Sequence, residues 1–213
     1  MNVKTIPTGA IAANCAILSA DGGAPATAAK CLIFDPGADA DDLISHLKEA
    51  RLEPEAILLT HGHFDHIGGV PGLLAHWPQL PVLLHPLDLP MLGHPMNQWP
   101  PEYPPVERPA TTADVRAWLA AHPEWGINAL HTPGHTPGSV CYHLPAEQTP
   151  LLISGDTLFA GSCGRTDFPG GSPADMANSL RALAQLPPET RVLPGHGGAT
   201  TIAREVASNP FLR

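Results

Sequence analysis

The sequence predicts an α/β (α+β) fold, a four-layer αββα sandwich built by one domain over residues 1–213. Three observations predict it. Apolar runs of strand length occur in both halves of the chain, and segments with helical spacing lie between them. The residues suited to bind metal stand beside glycines at the ends of those runs, where a sheet presents its rim. With 213 residues, 43% hydrophobic and 15% charged, the chain can bury one sizeable core and is short for two typical domains with a linker.

The elements follow in order. Ile11–Ser19 is small and apolar, and Ala20-Asp21-Gly22-Gly23 is a turn signal. Lys30–Phe34 reads as a buried strand stopped by Asp35-Pro36-Gly37. Leu43, Ile44 and Leu47 recur at helical spacing, which predicts a helix over Asp41–Ala50. Pro54 ends that region, and Ala56–Leu59 is an apolar strand that delivers Thr60 and His61 to its C-terminal end. Val70, Leu73, Leu74 and Trp77 suggest a short helix, and Pro81–His85 a further strand.

Eight prolines then fall between Pro86 and Pro109, which excludes a regular helix or a central strand. An ordered loop over the site and a flexible lid fit this composition equally. Within it Trp99 is expected in the core and Tyr103 on a substrate channel, where its hydroxyl could bond a thiol carrier. Ser139–Leu144 and Leu151–Ser154 resemble the strands of a hairpin. Ser172-Pro173 starts a helix, with Ser at the cap, Pro at the first position, and Met176, Leu180 and Leu183 on one face. Arg191–Leu193 is the last strand and leads into Pro194-Gly195-His196.

The formal net charge of -9 disfavours a nucleic-acid partner, and the 11 Lys and Arg form no basic stripe. No apolar run approaches the ~20 residues that span a bilayer, and Met1–Pro7 has no secretory pattern, so no membrane partner and a cytoplasmic location are expected. Cys15, Cys31, Cys141 and Cys163 lack CxxC spacing and read as four thiols.

His61-Gly62-His63-Phe64-Asp65-His66 packs three imidazoles and a carboxylate into six residues. Metal binding needs such N and O ligands converging at about 2 Å from the ion. Strand alternation would put 61, 63 and 65 on one face and 66 on the other, so the set converges only on a turn or on two neighbouring ions. His135 in Pro133-Gly134-His135-Thr136-Pro137-Gly138-Ser139, Asp156 in Gly155-Asp156-Thr157, and His196 in Pro194-Gly195-His196-Gly197 have the same setting. A lone histidine is usually a surface or hydrogen-bonded residue; His46, His76, His94, His122 and His143 are read so, and no motif singles out His85 or His131.

HGHFDH, PGHTPGS, the GD after a strand and PGHG, in that order, resemble the metallo-β-lactamase superfamily. GDTLFAGSCGRTDFPGG and the ending NPFL are similar to the short glyoxalase II-like (hydroxyacylglutathione hydrolase-like) hydrolases. The resemblance implies that His61, His63 and His135 hold one metal, that Asp65, His66 and His196 hold a second, and that Asp156 bridges them. Zinc is the default for imidazole and carboxylate; iron and manganese fit the same ligands. Such a pair lowers the pKa of a shared water from 15.7 toward ~7, giving a hydroxide nucleophile that Asp65, the candidate catalytic residue, would orient.

The implied reaction is hydrolysis of a small-molecule thioester, S-2-hydroxyacylglutathione such as S-lactoylglutathione, to the hydroxy acid and glutathione. Longer glyoxalase II enzymes carry a C-terminal helical segment that helps bind glutathione; few residues follow His196 here, so a broader thioesterase is also expected. The competing expectation is a glutathione persulfide dioxygenase with one iron on His61, His135 and Asp156, since such enzymes share the Cys163–Phe168 stretch. Gly62, Phe64 and Gly68-Gly69 are closer to the hydrolase pattern. A β-lactamase is disfavoured because several have Cys where this chain has Asp156. Cys163 reads as a packed side chain or a reactive thiol, and Arg165 with Asp167 as an ion pair shaping its loop. Oligomeric state is left open.

Overall fold

The computed structural model describes residues 1–20 and 28–212. The turn read at residues 20–23 therefore lies largely outside the described residues. Contacts divide the chain into two compact units: Met1–Leu84 with Leu89–Ala113, and His85–Asp88 with Asp114–Arg213.

The first unit is built on a sheet of β1 (Asn2–Thr8), β2 (Ala13–Ser19), β3 (Ala29–Phe34), β4 (Leu52–Leu58), β5 (Val82–Leu84) and, at the edge, β6 (Thr112–Asp114), hydrogen-bonded in that order. The first three run antiparallel; β3, β4 and β5 run parallel. Parallel neighbours need a crossover, and α1 (Ala40–Glu49) supplies it between β3 and β4. Its apolar stripe, Leu43, Ile44 and Leu47, packs in a core with Cys31, Ile33, Ile57 and Leu59. Burying each such side chain is worth about 1.5–3 kcal/mol. Two short helices follow β4: α2 (Phe64–Ile67) and α3 (Val70–His76).

Strand β1 was not legible in the sequence. It alternates exposed and half-buried positions at a sheet edge, so it has no apolar run to find. Strand β4 runs through Pro54, where a strand start was expected only at Ala56. The register with β3 shifts just there, from Cys31↔Pro54 to Leu32↔Ala56, and that irregularity accommodates a residue with no N–H to donate.

The second unit begins with helix α4 (Val115–Ala121) and carries a sheet of β7 (Asn128–His131), β8 (Val140–Leu144), β9 (Leu151–Gly155), β12 (Arg191–Pro194) and β13 (Thr200–Thr201), hydrogen-bonded in that order. A two-stranded ribbon, β10 (Leu158–Phe159) and β11 (Ser162–Cys163), branches from it. Strands β8 and β9 pair antiparallel as expected, and β12 lies parallel to β9. Helix α5 (Pro173–Leu183) starts as its sequence predicts: the Ser172 side chain accepts from Asp175 N, and Met176, Leu180 and Leu183 are buried. Helix α6 (Ile202–Ser208) is capped by Thr201. Helices α4 and α6, seven residues each, were not anticipated.

The proline-rich stretch opens with a 3-10 helix over Pro86–Met91 and holds an isolated bridge, Trp99↔Tyr103, with N–H···O bonds of 2.8 Å in both directions. The stretch forms a strap closed by these two bonds. Neither aromatic lies where it was expected. Tyr103 is 1% exposed, packs its hydroxyl against Gly9 and accepts from Ile11 N at 3.4 Å; Trp99 is 52% exposed. The tyrosine is drawn inward because β1 and its turn leave a slot that only a glycine at position 9 keeps open: an added Cβ would lie 2.0 Å from the Tyr103 oxygen. No helix among the described residues is long and apolar enough to cross a membrane.

Candidate metal centre

In the first unit, topology places the ligand-type residues at parallel strand ends. Phe34 pairs with Leu58, so the residues that follow β3 and β4 emerge side by side. Asp35 follows β3; Thr60 and His61 follow β4. Asp35 Oδ1 accepts from Thr60 N at 2.7 Å, and Oδ2 accepts from the Thr60 hydroxyl at 2.7 Å. Oδ2 also lies 3.0 Å from His66 Nδ1. Beyond Thr60 the backbone leaves the strand, and Asp65 and His66 sit on the single helical turn of α2. Of the two ways expected for this motif to converge, a turn or two neighbouring ions, the turn is present. It packs tightly, since a Cβ on Gly37 would fall 1.9 Å from the Asp65 carbonyl oxygen and one on Gly68 would fall 2.3 Å from that of Gly37.

His61, His63, Asp65 and His66 are all buried. The ring centroids of His61 lie 4.8 Å from His63 and 4.2 Å from His66. His66 Nε2 stands 3.6 Å from Asp65 Oδ2.

In the second unit the same logic holds. Pro194 pairs with Gly155 across parallel β12 and β9, and Gly195 N donates to Gly155 O at 2.8 Å. Asp156 follows β9 directly and His196 follows β12 after Gly195, and His196 Nε2 lies 3.7 Å from Asp156 Oδ2. His135 sits in the loop between antiparallel β7 and β8, with Nε2 3.5 Å from Asp156 Oδ2. These spacings are longer than hydrogen bonds. They match two ligands sharing an ion, which bonds of about 2 Å at a tetrahedral angle set roughly 3.3 Å apart.

The tautomers can be deduced. The Thr60 hydroxyl spends its one hydrogen on Asp35, so at 3.0 Å from His61 Nδ1 its oxygen accepts from that nitrogen. His66 Nδ1 faces a carboxylate at 3.0 Å, and His135 Nδ1 faces the Arg165 carbonyl at 2.7 Å. All three rings therefore carry hydrogen on Nδ1 and a lone pair on Nε2. A metal-binding imidazole oriented by its second nitrogen has this form. The donor set of each unit, imidazole nitrogen with carboxylate oxygen, fits divalent zinc, iron or manganese.

Other sequence readings find their places. Arg165 and Asp167 form a bidentate pair at 2.7 Å, and the guanidinium lies 3.9 Å over the Phe168 ring. Hydrogen bonding to Arg165 holds the Asp167 carboxyl down at about 2. Cys163 is half-buried, and burial raises its thiol pKa, which favours the packed reading over the reactive one. His85 stacks on His131 at 4.4 Å, and His131 Nε2 donates to the Pro137 carbonyl at 2.8 Å, so these rings support the loop of His135. Asp35 was read only as the end of a strand. The cue available was a carboxylate at the C-terminal end of an apolar run, one parallel neighbour away from the histidine motif.

The chain belongs to the metallo-β-lactamase superfamily: the family model "Metallo-beta-lactamase superfamily" matches residues 26–196, a stretch that begins before His61 and ends on His196. The mixed α/β fold expected from the sequence is the fold of its structural neighbours. Among relatives, the chain is 38% identical over 218 residues to "Probable metallo-hydrolase YqgX" of Bacillus subtilis (strain 168), covering 100% of this chain and 98% of the relative. It is 32% identical over 228 residues to "Hydroxyacylglutathione hydrolase GloC" of Haemophilus influenzae, covering 100% and 98%. A "Hydroxyacylglutathione hydrolase" of Aeromonas salmonicida is 39% identical over 166 residues, 78% of this chain but 56% of the relative. Among solved structures, BLEG-1 B3 metallo-beta-lactamase is 37% identical with a TM-score of 0.84, covering 99% of each chain. TTHA1623 in a di-iron-bound form is 38% identical with a TM-score of 0.82, covering 98% of this chain and 100% of the other. ETHE1 from Myxococcus xanthus is 26% identical with a TM-score of 0.69, covering 99% and 84%. The chain is therefore a metallo-hydrolase-type protein whose His and Asp cluster suits divalent metals.

Proposed function

We propose that this chain hydrolyses thioesters with two divalent metal ions, zinc by default, and that S-2-hydroxyacylglutathione is its substrate class. The observation that carries the reading is the set of three imidazoles, His61, His66 and His135, each fixed through Nδ1 with its Nε2 lone pair presented. The full-length likeness to GloC supports the substrate class. We assign the ligands as the family resemblance implies: His61, His63 and His135 for the first ion, Asp65, His66 and His196 for the second, and Asp156 for both.

Bound ions would supply Lewis acidity and a water of lowered pKa. The chain's own groups do the rest. Asp65, buried beside His66, accepts a hydrogen of the attacking water through its carboxylate and so aims the oxygen at the acyl carbon. A bond forms from that oxygen to carbon, the carbon–sulfur bond breaks, and the thiolate leaves with the electron pair and takes up the proton that the water gives up. A thiol pKa near ~8.5 makes that departure possible without a dedicated acid, and no side chain is assigned that role. Asp35, Thr60 and the Arg165 carbonyl keep the imidazoles in one tautomer throughout.

A second reading is favoured by the ETHE1 likeness and the Cys163–Phe168 stretch: a glutathione persulfide dioxygenase with one iron on His61, His135 and Asp156. The BLEG-1 likeness makes a β-lactam the third substrate to assay. Elemental analysis of the purified protein, beside turnover of S-lactoylglutathione, oxygen uptake with glutathione persulfide and β-lactam cleavage, separates them. Two ions per chain with thioester turnover is the expected result. One iron with oxygen uptake, or β-lactam cleavage alone, overturns it.

A further inference from the structure

The proline-rich strap buries two polar side chains that no metal-ligand assignment uses, Asp88 and Asn97. Burying such groups is costly unless they are bonded, and their bonds run to the ligand loops. Asp88 Oδ1 accepts from Gly138 N at 2.6 Å, and Oδ2 accepts from the Thr136 hydroxyl at 2.7 Å. These residues lie one and three positions after His135. The approach is close enough that a Cβ on Gly138 would lie 2.6 Å from the Asp88 carboxylate, so the loop needs glycine there. Asn97 does the equivalent work in its own unit. Its Oδ1 accepts from Phe64 N at 3.0 Å, and its Nδ2 donates to Gly62 O at 2.7 Å and Met91 O at 3.0 Å. Gly62 and Phe64 flank His63, whose extended backbone lies outside any strand at the N-cap of α2.

We propose that Asp88 and Asn97 are positioning residues for metal binding: Asp88 fixes the loop that carries His135, and Asn97 fixes the backbone on either side of His63. The proposal rests on the ligand assignment above. A ligand on irregular backbone has no ladder to hold it, so its direction is set by whatever bonds its flanking peptide groups make. One side chain that accepts from the residue after His63 and donates to the residue before it locks both peptides at once. Groups that orient metal ligands are worth roughly 10- to 100-fold in metal affinity.

The test compares full-length wild type with Asn97→Ala, Asn97→Asp, Asp88→Ala and Asp88→Asn. Three quantities are measured: zinc affinity by competition with a chromophoric chelator, the visible spectrum after cobalt(II) substitution, and the melting temperature. Asn97→Ala and Asp88→Ala should weaken zinc binding roughly 10- to 100-fold and alter the cobalt bands. Asn97→Asp, which turns a carboxylate toward the Gly62 carbonyl, should be as weak as alanine. Asp88→Asn keeps an acceptor for Gly138 N and should recover most of the affinity. Folded variants that bind zinc as tightly as wild type, with an unchanged cobalt spectrum, overturn the proposal. Should the alanine variants not fold, the isosteric pair decides: tight zinc in Asn97→Asp or lost zinc in Asp88→Asn also overturns it. No substrate enters this measurement. A wild type that binds zinc but cleaves no thioester removes the proposed function and leaves this inference standing.

Discussion

The carboxylate of Asp35 accepts the Nδ1 hydrogen of His66 at 3.0 Å, and the same oxygen accepts from the Thr60 hydroxyl at 2.7 Å. One buried side chain thereby orients His66 directly and His61 through Thr60. Replacing it leaves two or more buried donors unsatisfied, at roughly 1–3 kcal/mol each. Asp35→Ala should lower the melting temperature and weaken metal binding roughly 10- to 100-fold. Chelator competition on the folded variant checks this, and wild-type affinity would exclude an orienting role for Asp35.

The ligand assignment predicts a pattern of metal loss. Asp156→Ala should abolish turnover and lower occupancy at both positions. His66→Ala and His196→Ala should empty the second position first, and His61→Ala or His63→Ala the first. Metal titration followed by elemental analysis reads the pattern. Full activity with two ions retained in Asp156→Ala would remove its bridging role, and equal loss of both ions in every histidine variant would remove the split.

Tyr103 and Trp99 should separate cleanly in unfolding experiments. Tyr103 is buried against Gly9 and lies with its ring centroid 5.2 Å from that of Phe64, so Tyr103→Ala should cost about 3–5 kcal/mol. Trp99, half exposed and 6.1 Å from Phe64, should change stability by about 0.5 kcal/mol or less when replaced by alanine. Denaturant midpoints of the two variants give the comparison; equal losses would contradict these placements.

The thiols should be slow. Burial pushes the Cys31 thiol up to about 12, and burial likewise raises Cys163 and Cys15. The reactive form is the thiolate, which a raised pKa makes scarcer at neutral pH. Native protein should react with a thiol reagent more slowly than free cysteine, and the rate should climb only as pH rises beyond about 8.5. Rapid labelling of Cys163 at neutral pH would restore the reactive reading.

Sequence alone pointed to the family, singled out seven candidate ligands and marked most strands, because each has a local signature. HGHFDH is a dense cluster beside an apolar run; β8 and β9 are buried throughout, and β3, β4 and β12 end in buried apolar runs. Helix α5 announced its own start through Ser172-Pro173. Only the tertiary structure decided which groups stand behind the candidate ligands. Asp35 reaches His66 across 31 positions of sequence, Asp88 reaches Gly138 across 50, and Asn97 reaches Gly62 across 35. Nothing local marks such residues, since a carboxylate after a strand or an asparagine among prolines is ordinary turn chemistry. Strand β1 and the inward turn of Tyr103 were hidden for the same reason. An edge strand takes its structure from its partner β2, and a buried tyrosine takes its place from the slot that Gly9 leaves. Hydrophobic pattern and ligand clustering are read along the chain; register, parallel pairing and close approach exist only between its distant parts.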